Sequence, residues 1–175
     1  FIILLSIFRT REDWLRLAKF AVFVGALSAF YGFGQKTDIK FFIGSGGRDR
    51  IFGTIGNAAL FAGYQIIVLF LALSLALSSS ISQKHRGYLY VAVLISAIAV
   101  LMTAVRGSIM GLGVGVLLFS FLYVIIFSSR TAKKILLGLI GLAIILVTSA
   151  ILIRDSDLVK NSGYLSRLTD FSLRT

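Results

Sequence analysis

The sequence has 175 residues, of which 58% are hydrophobic and only 14% are charged, and its mean hydropathy is +0.96. Because about a quarter of the residues in soluble domains are charged, this composition excludes an ordinary soluble domain and indicates an integral membrane protein. The net charge of +11 would suggest nucleic acid in a soluble protein. Here the basic residues occupy short connectors between apolar segments, where they set topology and meet anionic lipid instead.

In chain order, the apolar segments are residues 1–8, 17–33, 58–77, 88–105, 108–127 and 135–153. A membrane-spanning helix needs about 20 apolar residues. Lipid offers no hydrogen-bond partners to the backbone, so each span has to form its backbone hydrogen bonds within itself, as a helix does. We therefore predict an all-α, polytopic membrane protein with about five full transmembrane helices and a truncated first one. The chain begins at Phe1 inside an apolar segment, so we expect one transmembrane domain over residues 1–175 that is a fragment of a longer protein.

The polar connectors between these segments alternate between the two sides of the membrane. Residues 9–16, 78–87 and 128–134 fall on one side, and residues 34–57, the turn at 106–107 and the tail from residue 154 fall on the other. With Lys19 counted on the first side, each side carries nine lysines and arginines, so the positive-inside count is tied. The connectors of the first side are shorter and more densely basic. We therefore assign that side to the cytoplasm and residues 34–57 to an extracytoplasmic loop.

Several arginines fall on the second side, where they can meet an anion. Arg106 stands between two apolar segments, so its guanidinium has to reach water, a headgroup or a counter-anion; it either snorkels from a tight interhelical turn or binds an anion. Arg48 and Arg50 lie among glycines and can bind phosphate through paired hydrogen bonds, or they anchor the chain at lipid headgroups. Arg167 lies in a polar stretch that, taken alone, is typical of a solvated loop.

Other residues favour structural roles. Gln65, inside an apolar segment, predicts an interhelical hydrogen bond, and Gly107, Gly111 and Gly115 form a small-residue face that favours helix packing. His85, the only histidine, falls in a polar connector and is predicted to be solvated. No ligand set for zinc, calcium or haem is visible in the sequence. No carboxylate lies within an apolar span, where proton- or sodium-coupled carriers usually need one.

Two sequence segments together resemble the core of the O-antigen ligase and O-antigen polymerase superfamily. They are residues 50–62, with the sequence RIFGTIGNAALFA, and residues 101–108, with the sequence LMTAVRGS. In that family a glycine–asparagine pair opens one helix, a threonine/serine–arginine–glycine turn follows, and a periplasmic loop with an arginine near its start comes two helices later. Asn57, Arg106 and Arg167 fall at these places. The sequence departs from the usual motifs after Asn57, where two alanines replace proline–asparagine, and before Arg106, where valine replaces serine.

The resemblance implies a metal-independent, cofactor-free, inverting glycosyltransferase of the bacterial inner membrane. Its donor would be a glycan on undecaprenyl pyrophosphate, and its acceptor a lipid A-core sugar, a second lipid-linked glycan or a protein hydroxyl. The reaction would be O-antigen ligation or polysaccharide polymerisation. Arg106 and Arg167, helped by Arg48, Arg50 and Asn57, would bind the donor, because guanidinium groups can neutralise a pyrophosphate in place of a metal. Membrane lipids, and no nucleic acid, complete the expected partners.

The resemblance also implies a catalytic histidine late in a large periplasmic loop, of which residues 154–175 are the expected start. That histidine would lie beyond Thr175, and His85 cannot replace it because it falls on the predicted cytoplasmic side. The chain alone is therefore expected to be inactive.

Two other functions stay open. A fragment of a transporter or permease is supported only by the bundle of spans, which many functions share. A non-enzymatic membrane scaffold, whose arginines contact only lipid, would tolerate Arg106→Lys, whereas a bidentate phosphate site would not.

Overall fold

The computed structural model describes residues 8–37, 39–42, 50–79 and 81–127, and all regular secondary structure within these ranges is helical. The helices are α1 (Arg11–Gly34), α2 (Ala58–Leu77), α3 (Gln83–Met102) and α4 (Arg106–Phe127). Each is long and apolar enough to cross a membrane. The predicted all-helical class is confirmed over the described residues. The expected number of five full spans is not reached there, because the predicted spans at residues 1–8 and 135–153 fall almost wholly outside them.

The chain divides into two compact units, Phe1–Val105 and Arg106–Thr175. The first unit contains α1, α2 and α3, each of which packs against the other two. The described part of the second unit is α4. Within that part, a Cβ added at Gly107 or Gly111 would meet no neighbour, so the packing role predicted for these glycines stays a prediction.

Neighbouring helices of the first unit run in opposite directions. Gly25 of α1 lies against Val68 of α2, and Gly32, two turns further along α1, lies against Phe61, two turns earlier in α2. The connector at residues 78–82 is short, so it turns α3 back along α2. As a result α1 and α3 begin at the same end of the unit.

The helices of the first unit bury small residues and expose large apolar ones, which is the reverse of a soluble bundle. The buried face of α1 carries Gly25, Ser28, Ala29 and Gly32. Its exposed face carries Phe20, Phe23, Leu27 and Phe30, each more than half exposed. Small residues let helix backbones approach closely where lipid already surrounds the bundle, and apolar surface of this extent is rare on soluble monomers. This distribution supports a membrane-spanning unit.

Two clusters of buried residues form the core of the first unit. One consists of Val22, Ala72, Leu75, Ala76, Ile81, Leu89 and Ala92, and the other of Ala29, Ile51, Phe61 and Ala99. The first lies towards the end where α1 and α3 begin, and the second towards the end where they finish. Gln65 is fully buried, and its Nε2 donates to the carbonyl of Gly25 at 3.1 Å. The interhelical hydrogen bond predicted for Gln65 is therefore confirmed.

Side chains close both ends of the helices. Thr10 opens α1 with a reciprocal capping box: its Oγ1 accepts from the Asp13 amide at 3.2 Å, and the Asp13 carboxylate accepts from the Thr10 amide at 3.1 Å. At the turn between α2 and α3, the guanidinium of Arg86 donates from Nε to Ile81 O at 3.3 Å and from Nη2 to Ser78 O at 3.1 Å. The carbonyls of Ser78 and Ile81 lie outside the helices and accept no helical hydrogen bond, so Arg86 supplies a donor to each.

The observed helices differ from the predicted apolar segments mainly where a helix includes polar residues at its start. α2 has the predicted limits, but α1 begins at Arg11 and α3 at Gln83, so His85 is exposed within the first helical turn instead of a connector. The predicted turn at residues 106–107 is wrong, because both residues belong to α4 and the turn is Thr103–Val105. Hydropathy marks the part of a helix that suits lipid, whereas a helix can continue through polar residues outside it.

Candidate functional site

The segment Arg50–Asn57 leads into α2 and packs against the ends of α1 and α3. Ile51 is fully buried within the second core cluster, and its amide donates to Met102 O, near the end of α3, at 3.3 Å. The two sequence segments that carry the family resemblance are therefore in direct contact, although they are about fifty residues apart.

Gln35 fixes the same segment from the end of α1. Its side chain is 2% exposed. Its Oε1 accepts from the amides of Phe52 at 3.0 Å and Gly53 at 2.9 Å, and its Nε2 donates to Gly53 O at 3.1 Å. A further contact joins the hydroxyls of Ser28 and Thr54 at 2.8 Å. These bonds hold the backbone at residues 52–54 against α1, so the segment has a defined conformation.

Gly53 is required by both backbone angle and space. Its φ of +56° lies in the left-handed region, and a Cβ added there would lie 2.3 Å from the ring of Phe61. Only glycine meets both conditions without strain. The glycine-rich approach to α2 is therefore a tight turn packed on an aromatic ring.

Arg50 binds the end of α3. Its Nε donates to Thr103 O at 3.1 Å and its Nη2 to Ala104 O at 2.9 Å. The carbonyls of Ala99, Val100 and Leu101 accept from the amides of the following turn, and that of Met102 accepts from Ile51. Each carbonyl from residue 99 to 104 thus has a partner, which is unusual for a helix end and favourable next to lipid.

Asn57 is the N-cap of α2. Its Oδ1 accepts from the amides of Ala59 at 2.8 Å and Leu60 at 3.2 Å, the arrangement preferred at helix starts. Gly56, with a φ of +80°, precedes it. The expectation that a glycine–asparagine pair opens a helix is confirmed. A contact between Asn57 and a donor molecule stays a prediction, and the side-chain oxygen already serves the helix.

The remaining predicted site residues are distributed differently. Arg106 is exposed and is the first residue of α4, an apolar helix. Arg48 and Arg167 lie outside the described residues. Among the residues that the structure does describe, no group of three histidine, cysteine, aspartate or glutamate side chains lies close enough to hold a metal ion.

Sequence reasoning missed the residues that build this region. Gln35 and Thr103 are both buried, and Ala104 has a left-handed backbone with a φ of 50°. A glutamine directly after an apolar segment was a weak signal for Gln35, since it is a side chain able to both donate and accept. No comparable signal marked the backbone carbonyls of Thr103 and Ala104, because any residue type supplies a carbonyl.

Comparison of the chain with protein-family models, with curated proteins and with solved structures finds no match in any of the three. The case for a function therefore rests on the residues and contacts described above.

Proposed function

We propose that the chain is part of a membrane glycosyltransferase that moves a glycan from undecaprenyl pyrophosphate to an acceptor hydroxyl. The proposal rests on the resemblance and is supported by one observation. The two segments that carry the resemblance, residues 50–62 and 101–108, are joined by three hydrogen bonds, from the Ile51 amide and the Arg50 guanidinium to the end of α3. Motifs that serve one site are expected to be held together in this way.

The proposal separates the arginines by role. Arg50 has two of its donors on backbone carbonyls, so it holds the turn that ends α3. We assign Arg106, exposed at the start of α4, to the donor pyrophosphate, a role that the resemblance also gives to Arg48 and Arg167. A guanidinium suits this task because its fork of N–H groups matches phosphate oxygens and stays charged at any physiological pH.

In the proposed reaction, an acceptor hydroxyl oxygen attacks the anomeric carbon of the donor sugar. The bond from that carbon to the pyrophosphate oxygen breaks with inversion, and its electron pair leaves with undecaprenyl pyrophosphate. The hydroxyl proton passes to a general base, for which the resemblance implies a histidine. The arginines lower the barrier because they stabilise the charge that develops on the leaving pyrophosphate.

The test is transfer of a lipid-linked glycan by membranes that contain the protein. Arg106→Ala is expected to lower transfer by about 100-fold or more, the usual cost of removing one charge-stabilising donor. Arg106→Lys is expected to restore only part of it, because an ammonium lacks the bidentate fork. Protein abundance in the membrane should be unchanged, since Arg106 is exposed.

Arg11→Ala is the matched control. Arg11 is also exposed and is the first residue of an apolar helix, α1, but it falls on the predicted cytoplasmic side, so transfer should be unaffected. Normal transfer by Arg106→Ala would falsify the assignment. Solute flux through reconstituted vesicles, with no glycan transfer, would favour the transporter alternative.

A further inference from the structure

The end of the first unit where α1 and α3 begin is strongly basic. Residues 8–20 and 81–90 contain six lysines and arginines and two acidic residues. The cations are Arg9, Arg11, Arg16, Lys19, Lys84 and Arg86. These two stretches share one end of the unit because Leu15 and Ala18 pack against the core cluster that contains Ile81 and Leu89. We call the two stretches together the basic end.

The acidic groups of the basic end are already engaged. Glu12 pairs with Arg16 at 3.6 Å, and the Asp13 carboxylate accepts from the amide and hydroxyl of Thr10. Within the described part of the chain, no carboxylate lies within 4 Å of Arg11, Lys19 or Lys84. Three cations at this end are therefore available to an external anion.

The length of α1 places Arg11 at the depth of lipid headgroups, and Lys84 lies in the first turn of α3, which begins at the same end. A helix of 24 residues is about 36 Å long, whereas the hydrocarbon core of a bilayer is about 30 Å thick. About one turn therefore extends into the headgroup region. Lys19 is half-buried and lies two turns into α1, from where its long side chain reaches the same region.

Aromatic residues mark the same level. Trp14, Tyr88 and Tyr90 are all exposed, and tryptophan and tyrosine concentrate at the boundary between hydrocarbon and headgroups. Further along the same helices, Phe23 and Leu94 are exposed to more than half, as expected for a hydrocarbon-facing surface. The basic end and the apolar faces thus follow the layers of one leaflet.

We propose that the basic end is a binding surface for anionic phospholipids, with Arg11, Lys19 and Lys84 contacting the headgroup phosphates. Attraction of basic residues next to a span by an anionic leaflet is a well-founded electrostatic effect. The engaged carboxylates leave Arg11, Lys19 and Lys84 without an ion pair among the residues that the structure describes. This inference does not depend on the proposed glycosyltransferase function.

Trp14 provides a direct test, because it is the only tryptophan in the chain and lies within the basic end. The protein is reconstituted into bilayers in which either phosphatidylglycerol or phosphatidylcholine carries brominated acyl chains, at equal mole fraction. Bromine quenches tryptophan fluorescence only at short range, so quenching reports which lipid surrounds Trp14. We expect stronger quenching by brominated phosphatidylglycerol, with the preference lost at 1 M salt, where the Debye length is about 3 Å.

The test variant is Lys19→Gln/Lys84→Gln, and the matched control is Lys36→Gln/Lys40→Gln, which removes the same charge near the other end of α1. The test variant should lower the preference for phosphatidylglycerol by about 25-fold, because about 1 kcal/mol per basic residue near the surface is about fivefold for each of the two lysines removed. The control should keep it. Glutamine keeps two of the four methylene groups of lysine and a polar end, so the change in packing is small.

Equal quenching by the two lipids in the unsubstituted protein would overturn the proposal, and so would the same loss in both double variants. The salt titration of the unsubstituted protein decides the matter even if the test variant does not fold, because a preference that persists at 1 M salt is not electrostatic.

Discussion

Ala104 ends α3 in a backbone conformation that is unfavourable for alanine. Its φ of 50° makes it the single non-glycine residue there with a left-handed conformation, which costs about 1–2 kcal/mol for an L-residue with a side chain. The conformation ends α3 and turns its carbonyl towards Arg50. Helices often end with glycine in this conformation. Alanine at this position therefore makes the folded protein less stable than glycine would.

We expect Ala104→Gly to stabilise the protein by about 0.5–1 kcal/mol, because glycine relieves the strain but loses more entropy on folding. The measurement is thermal unfolding in detergent micelles, where the midpoint should rise by a few degrees. Ala99→Gly is the control: Ala99 lies inside α3 and is fully buried, so glycine should lower stability there by about 1 kcal/mol or more. A fall in midpoint for Ala104→Gly would contradict this account of the turn.

How much of the site could be predicted differs from residue to residue. The N-cap role of Asn57 follows from local sequence, because asparagine before an apolar run is a frequent helix start. The partners of Arg50 lie 53 and 54 residues away and are backbone carbonyls. Nothing in the sequence distinguishes such an arginine from one that binds phosphate, since the guanidinium offers the same donors to both.

At the level of helices, the packing of α1 on α2 depends on glycine. A Cβ added at Gly25 would lie 2.5 Å from Cγ2 and 2.6 Å from Cγ1 of Val68. Gly63, in α2, is different, because a Cβ added there would meet no atom within 4 Å. The two glycines therefore form a natural pair for testing whether close helix approach, and not glycine itself, stabilises the bundle.

Gly25→Ala is expected to destabilise the protein by about 1–3 kcal/mol, because the helices have to move apart or Val68 has to leave its rotamer. Gly63→Ala is expected to be neutral or to stabilise by up to about 1 kcal/mol, since alanine has the higher helix propensity. Chemical or thermal unfolding in one detergent compares them directly. Equal destabilisation by both changes would show that space at Gly25 is not the cause.

The helices themselves were largely predictable, and their limits less so. The apolar segment at residues 58–77 coincides with α2 because a capping asparagine and a polar turn enclose it. The starts of α1 and α3 were predicted too late, since Arg11–Arg16 and Gln83–Gly87 are polar but helical. At Arg11 the capping box of Thr10 and Asp13 was readable as a local signal. A hydropathy pattern alone does not reveal this capping box, because the residues that form it are polar.

At the scale of the whole molecule, the first unit predicts that residues 40 and 79 emerge on opposite sides of a membrane, because α2 lies between them. Both side chains are exposed, and the chain has no cysteine. Lys40→Cys and Ser79→Cys therefore each create a unique thiol. A membrane-impermeant thiol reagent should label Lys40→Cys in intact cells and Ser79→Cys only after the membrane is opened, as the density of cations predicts.

Two other outcomes are informative. The reverse pattern would invert the assignment of sides and so contradict the extracytoplasmic position of residues 34–57. Labelling of both positions from the same side would show that α2 does not cross the membrane.

The two arginines that bind backbone carbonyls differ in when those bonds can form during synthesis. The partners of Arg86 precede it by 5 and 8 residues, so the hairpin of α2 and α3 can close as soon as Arg86 has been made. The partners of Arg50 follow it by 53 and 54 residues, which takes roughly 3–10 s at ribosomal rates of about 5–20 residues per second. During that interval Gln35 can already bind the backbone of Phe52 and Gly53, but the carbonyls that Arg50 binds have not yet been made. Arg50 can therefore close on the end of α3 only after α2 and α3 have both been made, so this contact marks the completion of α1, α2 and α3.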